Sequence, residues 1–323
     1  MRATNNTRGH ACSDGRSPVT NPQEFTFGYH LNTWDLGGLS LDEGLEIIRR
    51  NGFDYVEALA RDEFSHDFAR RFMGTGFQPV PMGSSDITFL SRIELFSTAA
   101  ARGLKLSSLY CNREFINPLT WEKELATLGA ITRLLHGFNA PGIVLGGGPP
   151  AAPGTDHSHD TYVRFAAALT RVAERADALG MWAAYHPHID TFVETREQLD
   201  RVMNELDAGA AGLCIDTAHL TLAGSDAVAA IRDYASAIKY VHFKDVASCS
   251  ITGPDRYTAF RSLGEGVVDI AGAAAQLRAN NYRGLVIIEL DTTEQEPEEA
   301  LRASVAYIKN LGLELRPTAA ARL

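Results

Sequence analysis

From Phe25 onward, the chain alternates short apolar runs with longer segments in which apolar residues recur at helical spacing. The short runs are rich in Val, Ile, Leu and Tyr and are bounded by Gly or charged residues, a pattern typical of strands buried on both faces. Eight strands are therefore predicted, at Thr26–Trp34, Tyr55–Leu59, Lys105–Cys111, Gly142–Gly146, Met181–His186, Gly212–Asp216, Lys239–Lys244 and Gly284–Leu290.

Helical segments are predicted between these strands. Leu41, Leu45 and Ile48 share one face, as expected for a helix that packs against a sheet. Glycines stand where helices should end, at Gly52, Gly103, Gly180 and Gly312. Eight strands, each followed by a helix, predict an α/β chain that folds as a single (β/α)8 TIM barrel. A doubly wound open sheet is the main alternative, but the Gly-rich turn that usually follows its first strand is absent here.

Composition sets the expected boundaries of the barrel. Residues 1–24 are polar and rich in Asn, Ser, Thr and Gly, so we expect a disordered N-terminal tail, the barrel at 25–314 and a C-terminal tail at 315–323. The stretch 61–87 predicts an elaborated loop over one end of the barrel. The sequence shows neither a signal-peptide-like apolar stretch nor a run of roughly 20 apolar residues, so a cytoplasmic chain without a membrane span is expected.

The net charge limits the expected classes of binding partner, and the cysteine spacing limits the expected kinds of site. The formal net charge is −10, and nucleic acids and anionic membranes carry the same sign, so a small-molecule substrate is expected instead. The four cysteines are widely separated, which favours neither a disulfide framework nor a thiolate zinc site. Cys214 lies in an apolar run and is predicted to be a buried thiol.

Four consecutive predicted strands end in an imidazole or a carboxylate, at His186, Asp216, His242 and Glu289. The carboxyl ends of barrel strands meet at one rim, where barrel enzymes hold their functional groups. A single strand-end His is often a hydrogen-bonded core residue, and a single Asp there is often a helix N-cap. Four such positions on four neighbouring strands favour a site for one divalent ion, because buried charges without partners are costly.

The same region carries a family resemblance. The segments that carry it are Tyr185–His188, Thr191–Thr195, Cys214–His219, Val241–Asp245 and Leu263–Gly266. They resemble the sugar isomerase/epimerase superfamily of xylose-isomerase-like barrels, and within it the inosose (2-keto-myo-inositol) dehydratases. The resemblance spans most of residues 26–312. It implies a divalent ion, with Mn²⁺ or Co²⁺ favoured over Mg²⁺ or Zn²⁺, that polarises a polyhydroxylated carbonyl substrate.

The resemblance also implies a departure at His186. Epimerases of this superfamily place a Glu there, opposite the strand-8 Glu, and the two carboxylates exchange protons on opposite faces of the substrate. A metal-bound imidazole is a poor base, so one proton-transfer partner is lost. Glu289 remains as the base, and His188 and His219 are the candidate acid or second base near neutral pH. This arrangement favours dehydration over epimerisation.

Five further residues are predicted to contact the substrate, namely Glu57, Trp34, His30, Lys244 and Arg261. Glu57 could equally form a salt bridge below the rim of the barrel. Lys244 could equally have a structural role or a role in a loop. Asp245 is predicted to orient a metal-binding histidine by contacting the side of its ring that faces away from the metal.

The sequence therefore predicts a metal-dependent lyase that dehydrates a cyclic keto-polyol or keto-sugar. A ketose isomerase or epimerase, and an eliminase of 3-keto-glycosides including C-glycosides, remain alternatives; a homo-oligomer or a small partner subunit is also left open. An apurinic-site endonuclease would share the barrel, but the acidic net charge disfavours it. A non-catalytic sugar-binding module would hold no metal.

Overall fold

The computed structural model describes residues 23–31, 39–60, 89–149, 151–206, 209 and 211–316, with the backbone alone for residues 89–93. The predicted tail up to residue 22, Trp34 and the predicted loop 61–87 lie outside the described residues.

Eight parallel strands close into a barrel in which each strand pairs with its neighbours along the chain and the first strand pairs with the last. The strands are β1 Thr26–His30, β2 Tyr55–Leu59, β3 Lys105–Arg113, β4 Gly142–Gly147, β5 Trp182–His186, β6 Gly212–Asp216, β7 Ile238–Phe243 and β8 Leu285–Ile288. Pairing of Thr26 with Leu285 joins the last strand to the first. The predicted TIM barrel is confirmed, and the open-sheet alternative is excluded by this closure.

Helices connect the strands on the outside of the barrel. They are α1 Leu41–Arg50, α2 Phe89–Ala101, α3 Trp121–Gly137, α4 His159–Asp177, α5 Arg196–Glu205, α6 Thr217–Leu222, α7 Ala227–Asp233, α8 Ile270–Ala279 and α9 Pro297–Asn310. Among the described residues no helix is long and apolar enough to cross a bilayer.

Local chemistry fixes the helix ends. At the start of α1, the Ser40 side chain accepts from the Glu43 N–H, and the Glu43 carboxylate accepts from the Ser40 N–H at 2.9 Å. This capping box satisfies backbone groups that the first turn leaves unpaired. The four predicted helix-ending glycines all have positive φ: Gly52, Gly103, Gly180 and Gly312. Glycine adopts this conformation without the Cβ clash of other residues, which explains why it ends these helices.

The barrel has a thin inner core and a thicker outer one. A small cluster fills the barrel interior, formed by Val144, Ala184, Cys214, Tyr240 and Ile287. A much larger apolar layer lies between the strands and the surrounding helices. Cys214 is fully buried, as predicted, and burial raises the pKa of its thiol to about 11.

The chain segments near both ends pack against the start of the barrel. The Gln23 side chain donates to the Glu314 carbonyl at 2.7 Å, and the Phe27 N–H donates to the Leu315 carbonyl at 2.9 Å. These bonds tie the entry to β1 to the exit from α9.

Candidate active site

Asp216 is both a helix cap and a site residue. It ends β6 and begins α6, and its Oδ1 accepts from the N–H groups of Ala218 and His219, each at 2.9 Å. Its Oδ2 is buried, has no hydrogen-bond partner among the described residues and lies 3.4 Å from Nε2 of His186. The ordinary N-cap role and the functional role therefore coexist, because each uses a different oxygen.

The four strand-end residues meet in one place. One ligand atom from each of His186, Asp216, His242 and Glu289 lies within 4.8 Å of the other three, and all four residues are buried. The strand register produces this, since Asp216 pairs directly with His242 and the Glu289 N–H donates to the Phe243 carbonyl at 3.1 Å. Their role as metal ligands stays a prediction.

The donor set fits a divalent ion. It offers two imidazole nitrogens and two carboxylate oxygens, a combination that suits Zn²⁺, Mn²⁺ or Co²⁺. Burial alone would raise the pKa of Glu289, but Lys244 and then His242 outweigh it and hold that pKa well below its usual value. The carboxylates of the group are thus in the ionised form that a metal requires.

His242 lies between two carboxylates. Its Nδ1 is 2.6 Å from Oε2 of Glu289, and its Nε2 is 2.8 Å from Oε2 of Glu57. Glu57 is completely buried behind the imidazole ring, in the middle of β2. In this position the Glu57 carboxylate orients His242, while its predicted contact with substrate hydroxyls stays a prediction.

Lys244 points into the site. It follows β7 two residues after His242, so both side chains leave the strand on the same side. Its Nζ lies 3.1 Å from Oε2 of Glu289 and 3.3 Å from Oδ2 of Asp216, and the side chain is 1% exposed. Burial alone would lower its pKa, but Asp216, Asp291 and Glu289 hold it well above the usual value. The lysine is therefore a fixed cation beside the four-residue group.

Asp291 also belongs to the site, a role that was not predicted from the sequence. Both of its oxygens accept from Nζ of Lys244, at 3.0 and 3.1 Å. Burial raises the pKa of Asp291 to about 6; Lys244 opposes that rise and Glu289 adds to it. The signal was present in the sequence, because Asp291 stands two residues after Glu289 at the same strand end.

The two candidate acid–base histidines are in contact, with their rings tilted to each other. The rings of His188 and His219 have centroids 3.7 Å apart. The Nδ1–H of His188 donates to the Ile189 carbonyl at 2.7 Å, and burial lowers the pKa of His188 to about 3. Burial, together with His188, also places the pKa of His219 well below its usual value. Both rings are therefore neutral, and each acts as a hydrogen-bonding group.

Two of the remaining predicted contact residues, His30 and Arg261, lie within the described part of the chain. His30 is buried at the end of β1, with Nε2 3.9 Å from Oε1 of Glu289. Arg261 donates through Nη1 to the carbonyls of Thr258 and Phe260, at 3.2 and 2.7 Å, and so braces its own loop. Substrate contact by His30 and Arg261 stays a prediction, as it does for Trp34 outside the described residues.

Asp245 supports a loop instead of the ligand histidine expected from the sequence. Its Oδ1 accepts from the N–H groups of Val246 and Val268, at 2.8 and 3.0 Å. Its Oδ2 accepts from those of Gly264 and Gly266, at 2.9 and 3.0 Å. Both oxygens are thereby used to hold the segment between β7 and α8.

Known proteins share this fold and this sequence pattern. The model of the xylose isomerase-like TIM barrel family matches residues 45–311. Inosose dehydratase of Lacticaseibacillus casei is 29% identical over 219 residues, which cover 62% of this chain and 72% of that protein.

Two solved structures show the same fold. The probable 3-DHS dehydratase AsbF from Bacillus anthracis has a TM-score of 0.66 at 16% identity, over 88% of this chain and 99% of the other. The IolI protein, whose structure holds a zinc atom, has a TM-score of 0.65 at 18% identity, over 89% and 98% of the two chains. The sequence matches confirm the prediction that the chain is an enzyme of this barrel class. The chain belongs to the xylose isomerase-like TIM barrel family.

Proposed function

We propose that this enzyme is a divalent-metal-dependent lyase that dehydrates a cyclic keto-polyol or keto-sugar, in the manner of its inosose dehydratase relatives. The observation that carries the proposal is His186, which stands inside the four-residue group where the related epimerases place a second Glu. An imidazole 3.4 Å from Asp216 helps to hold an ion but does not replace a carboxylate base.

His186, Asp216, His242 and Glu289 would hold the ion. When bound, it supplies positive charge that acidifies the C–H bond next to the substrate carbonyl. Glu289 is ionised and accepts that proton, which leaves an enolate. The ammonium of Lys244, 3.1 Å from Oε2 of Glu289, stabilises the negative charge that develops on the enolate.

Loss of the β-hydroxyl completes the reaction. The departing hydroxide requires a proton, and the Lys244 ammonium supplies it. His219 accepts a hydrogen bond from that ammonium at 3.1 Å, and the His188 ring contacts that of His219. As the C–O bond breaks, the proton passes from Lys244 through His219 to the hydroxide and water departs, while His188 orients the leaving group. The proton on Glu289 then returns to Lys244, 3.1 Å away.

The test is turnover of 2-keto-myo-inositol by the pure, metal-loaded protein. With Mn²⁺ or Co²⁺ we expect an unsaturated, ultraviolet-absorbing product that has lost one water, and chelation should abolish the signal. His242→Ala should lose metal and activity together, whereas Glu174→Gln on the exposed face of α4 should keep both. Failure of the loaded, folded enzyme on this ketone and on 3-keto-glucosides would overturn the proposal.

The same assay separates the alternatives. An epimerase would return a ketone of unchanged mass, and a glycoside eliminase would release an aglycone from a 3-keto-glycoside. Activity that appears only with a second polypeptide would indicate a partner subunit. Oligomeric state and cytoplasmic location stay predictions.

A further inference from the structure

A second group of ligand-type side chains lies beside the first. One atom from each of His188, His219 and Asp291 lies within 4.8 Å of the other two. Two imidazoles and one carboxylate are a common ligand set for divalent transition metals. The two groups adjoin, because Nε2 of His219 is 3.8 Å both from Oδ2 of Asp216 and from Oδ2 of Asp291.

The Lys244 ammonium already contacts two members of the second group. Its Nζ is 3.0 and 3.1 Å from the two oxygens of Asp291 and 3.1 Å from Nε2 of His219. The ring of Phe260 packs beneath it, with its centroid 5.1 Å from Nζ, so the ammonium is held by a cation–π contact as well. A buried lysine with three kinds of partner is fixed in place and is not a mobile surface charge.

The local charge balance accommodates this ammonium and one divalent ion. Three carboxylates contact Lys244, those of Asp216, Glu289 and Asp291. Their three negative charges match one divalent ion together with one ammonium, while the fourth buried carboxylate, Glu57, is paired with His242. A second divalent ion beside the lysine would leave a large uncompensated positive charge in a buried site, which is strongly unfavourable.

We propose that Lys244 serves as the second cation of the active site, so that its ammonium fills the His188–His219–Asp291 group and limits the enzyme to one divalent ion. The inference rests on the proposed function for the first ion only. It explains why two adjoining ligand groups coexist with a buried lysine between them. Replacing the lysine by a neutral side chain of similar length should open the second group to a metal.

The experiment is a count of bound metal. Wild-type enzyme, Lys244→Met and the matched control Lys239→Met, on the exposed face of β7, are equilibrated with Mn²⁺ or Zn²⁺ and freed of unbound ion. Elemental analysis should give one ion per chain for wild type and Lys239→Met and two for Lys244→Met. The double variant Lys244→Met/Asp291→Asn should return to one. Two bound Mn²⁺ ions should also show spin coupling by electron paramagnetic resonance.

The outcomes separate the two proposals. One ion in both wild type and folded Lys244→Met overturns this inference and leaves the proposed function standing. A wild-type chain that binds two ions overturns it as well, and this measurement does not depend on the folding of any variant. A wild-type chain that binds no divalent ion overturns the proposed function, and this inference with it.

Discussion

Nε2 of His242 lies 2.8 Å from Oε2 of Glu57, a carboxylate completely buried behind the ring. This ion pair holds the ring in place, with Nδ1 on its other side 2.6 Å from Oε2 of Glu289. Carboxylate–histidine pairs of this kind fix the tautomer and orientation of metal-binding imidazoles. Glu57 is thus a positioning residue that acts through His242.

Glu57→Gln should weaken metal binding about 10- to 100-fold. The amide can present either its oxygen or its NH2 group to Nε2, so the ring loses its preference for one tautomer and the negative charge behind it disappears. Metal affinity measured by competition with a chromogenic chelator checks this. Glu174→Gln on α4 is the matched control and should bind like wild type. Unchanged affinity in Glu57→Gln would contradict the positioning role.

Asp245→Asn should destabilise the fold by about 3 kcal/mol, because buried N–H groups that lose a charged acceptor remain unsatisfied. Four backbone N–H groups converge on this carboxylate, and an amide offers only one acceptor oxygen to them. Gly266→Ala should destabilise the same loop, since a Cβ there would lie 2.2 Å from Oδ1 of Asp245. Urea unfolding followed by circular dichroism measures both. A loss below about 1 kcal/mol in Asp245→Asn would contradict the anchoring role.

Removal of the divalent ion should lower the midpoint of thermal unfolding. A ligand that binds only the folded state adds about 2.7 kcal/mol when its free concentration is about 100 times Kd. The midpoint should fall on addition of chelator and recover with excess Mn²⁺, and His242→Ala should show neither change. Equal midpoints for wild type with and without chelator would contradict a metal held by His186, Asp216, His242 and Glu289.

His186→Glu should keep the metal and change the chemistry. A carboxylate is also a ligand for these ions, and it adds the second base that the related epimerases use. In deuterated water the variant should return more epimerised ketone with deuterium at the α-carbon, relative to the dehydrated product, than wild type does. The ratio of the two products, read by mass spectrometry, is the measurement. An unchanged ratio in a metal-loaded variant would show that residue 186 does not set the outcome.

The barrel and the convergence of four strand ends were predictable from the sequence because both follow from the strand pattern. Asp216, His242 and Glu289 stand at ends of apolar runs, and parallel strands bring such ends to one rim. The pattern also predicted β7 one residue late at each end, as Lys239–Lys244 instead of Ile238–Phe243. Lys244 lies outside the ladder, and its backbone N–H donates to the Thr217 hydroxyl at 3.0 Å instead.

The partners of each side chain were not predictable. Glu57 contacts His242, and His219 contacts Lys244, through distances that depend on barrel closure and on α6, not on spacing along the chain. Asp245 resembled a residue that orients a ligand, yet both its oxygens hold a loop whose path the sequence does not reveal. Asp291 received no role because one Asp after a strand is an ordinary feature, and only its contact with a buried lysine distinguishes it.

The most direct test of the central claim is to follow 2-keto-myo-inositol with Mn²⁺-loaded wild-type enzyme in deuterated water. We expect a product that has lost one water, with remaining substrate epimerised little or not at all, and no product after chelation. Deuterium that enters the α-carbon of an otherwise intact ketone, without loss of water, would contradict dehydration and identify an epimerase or isomerase.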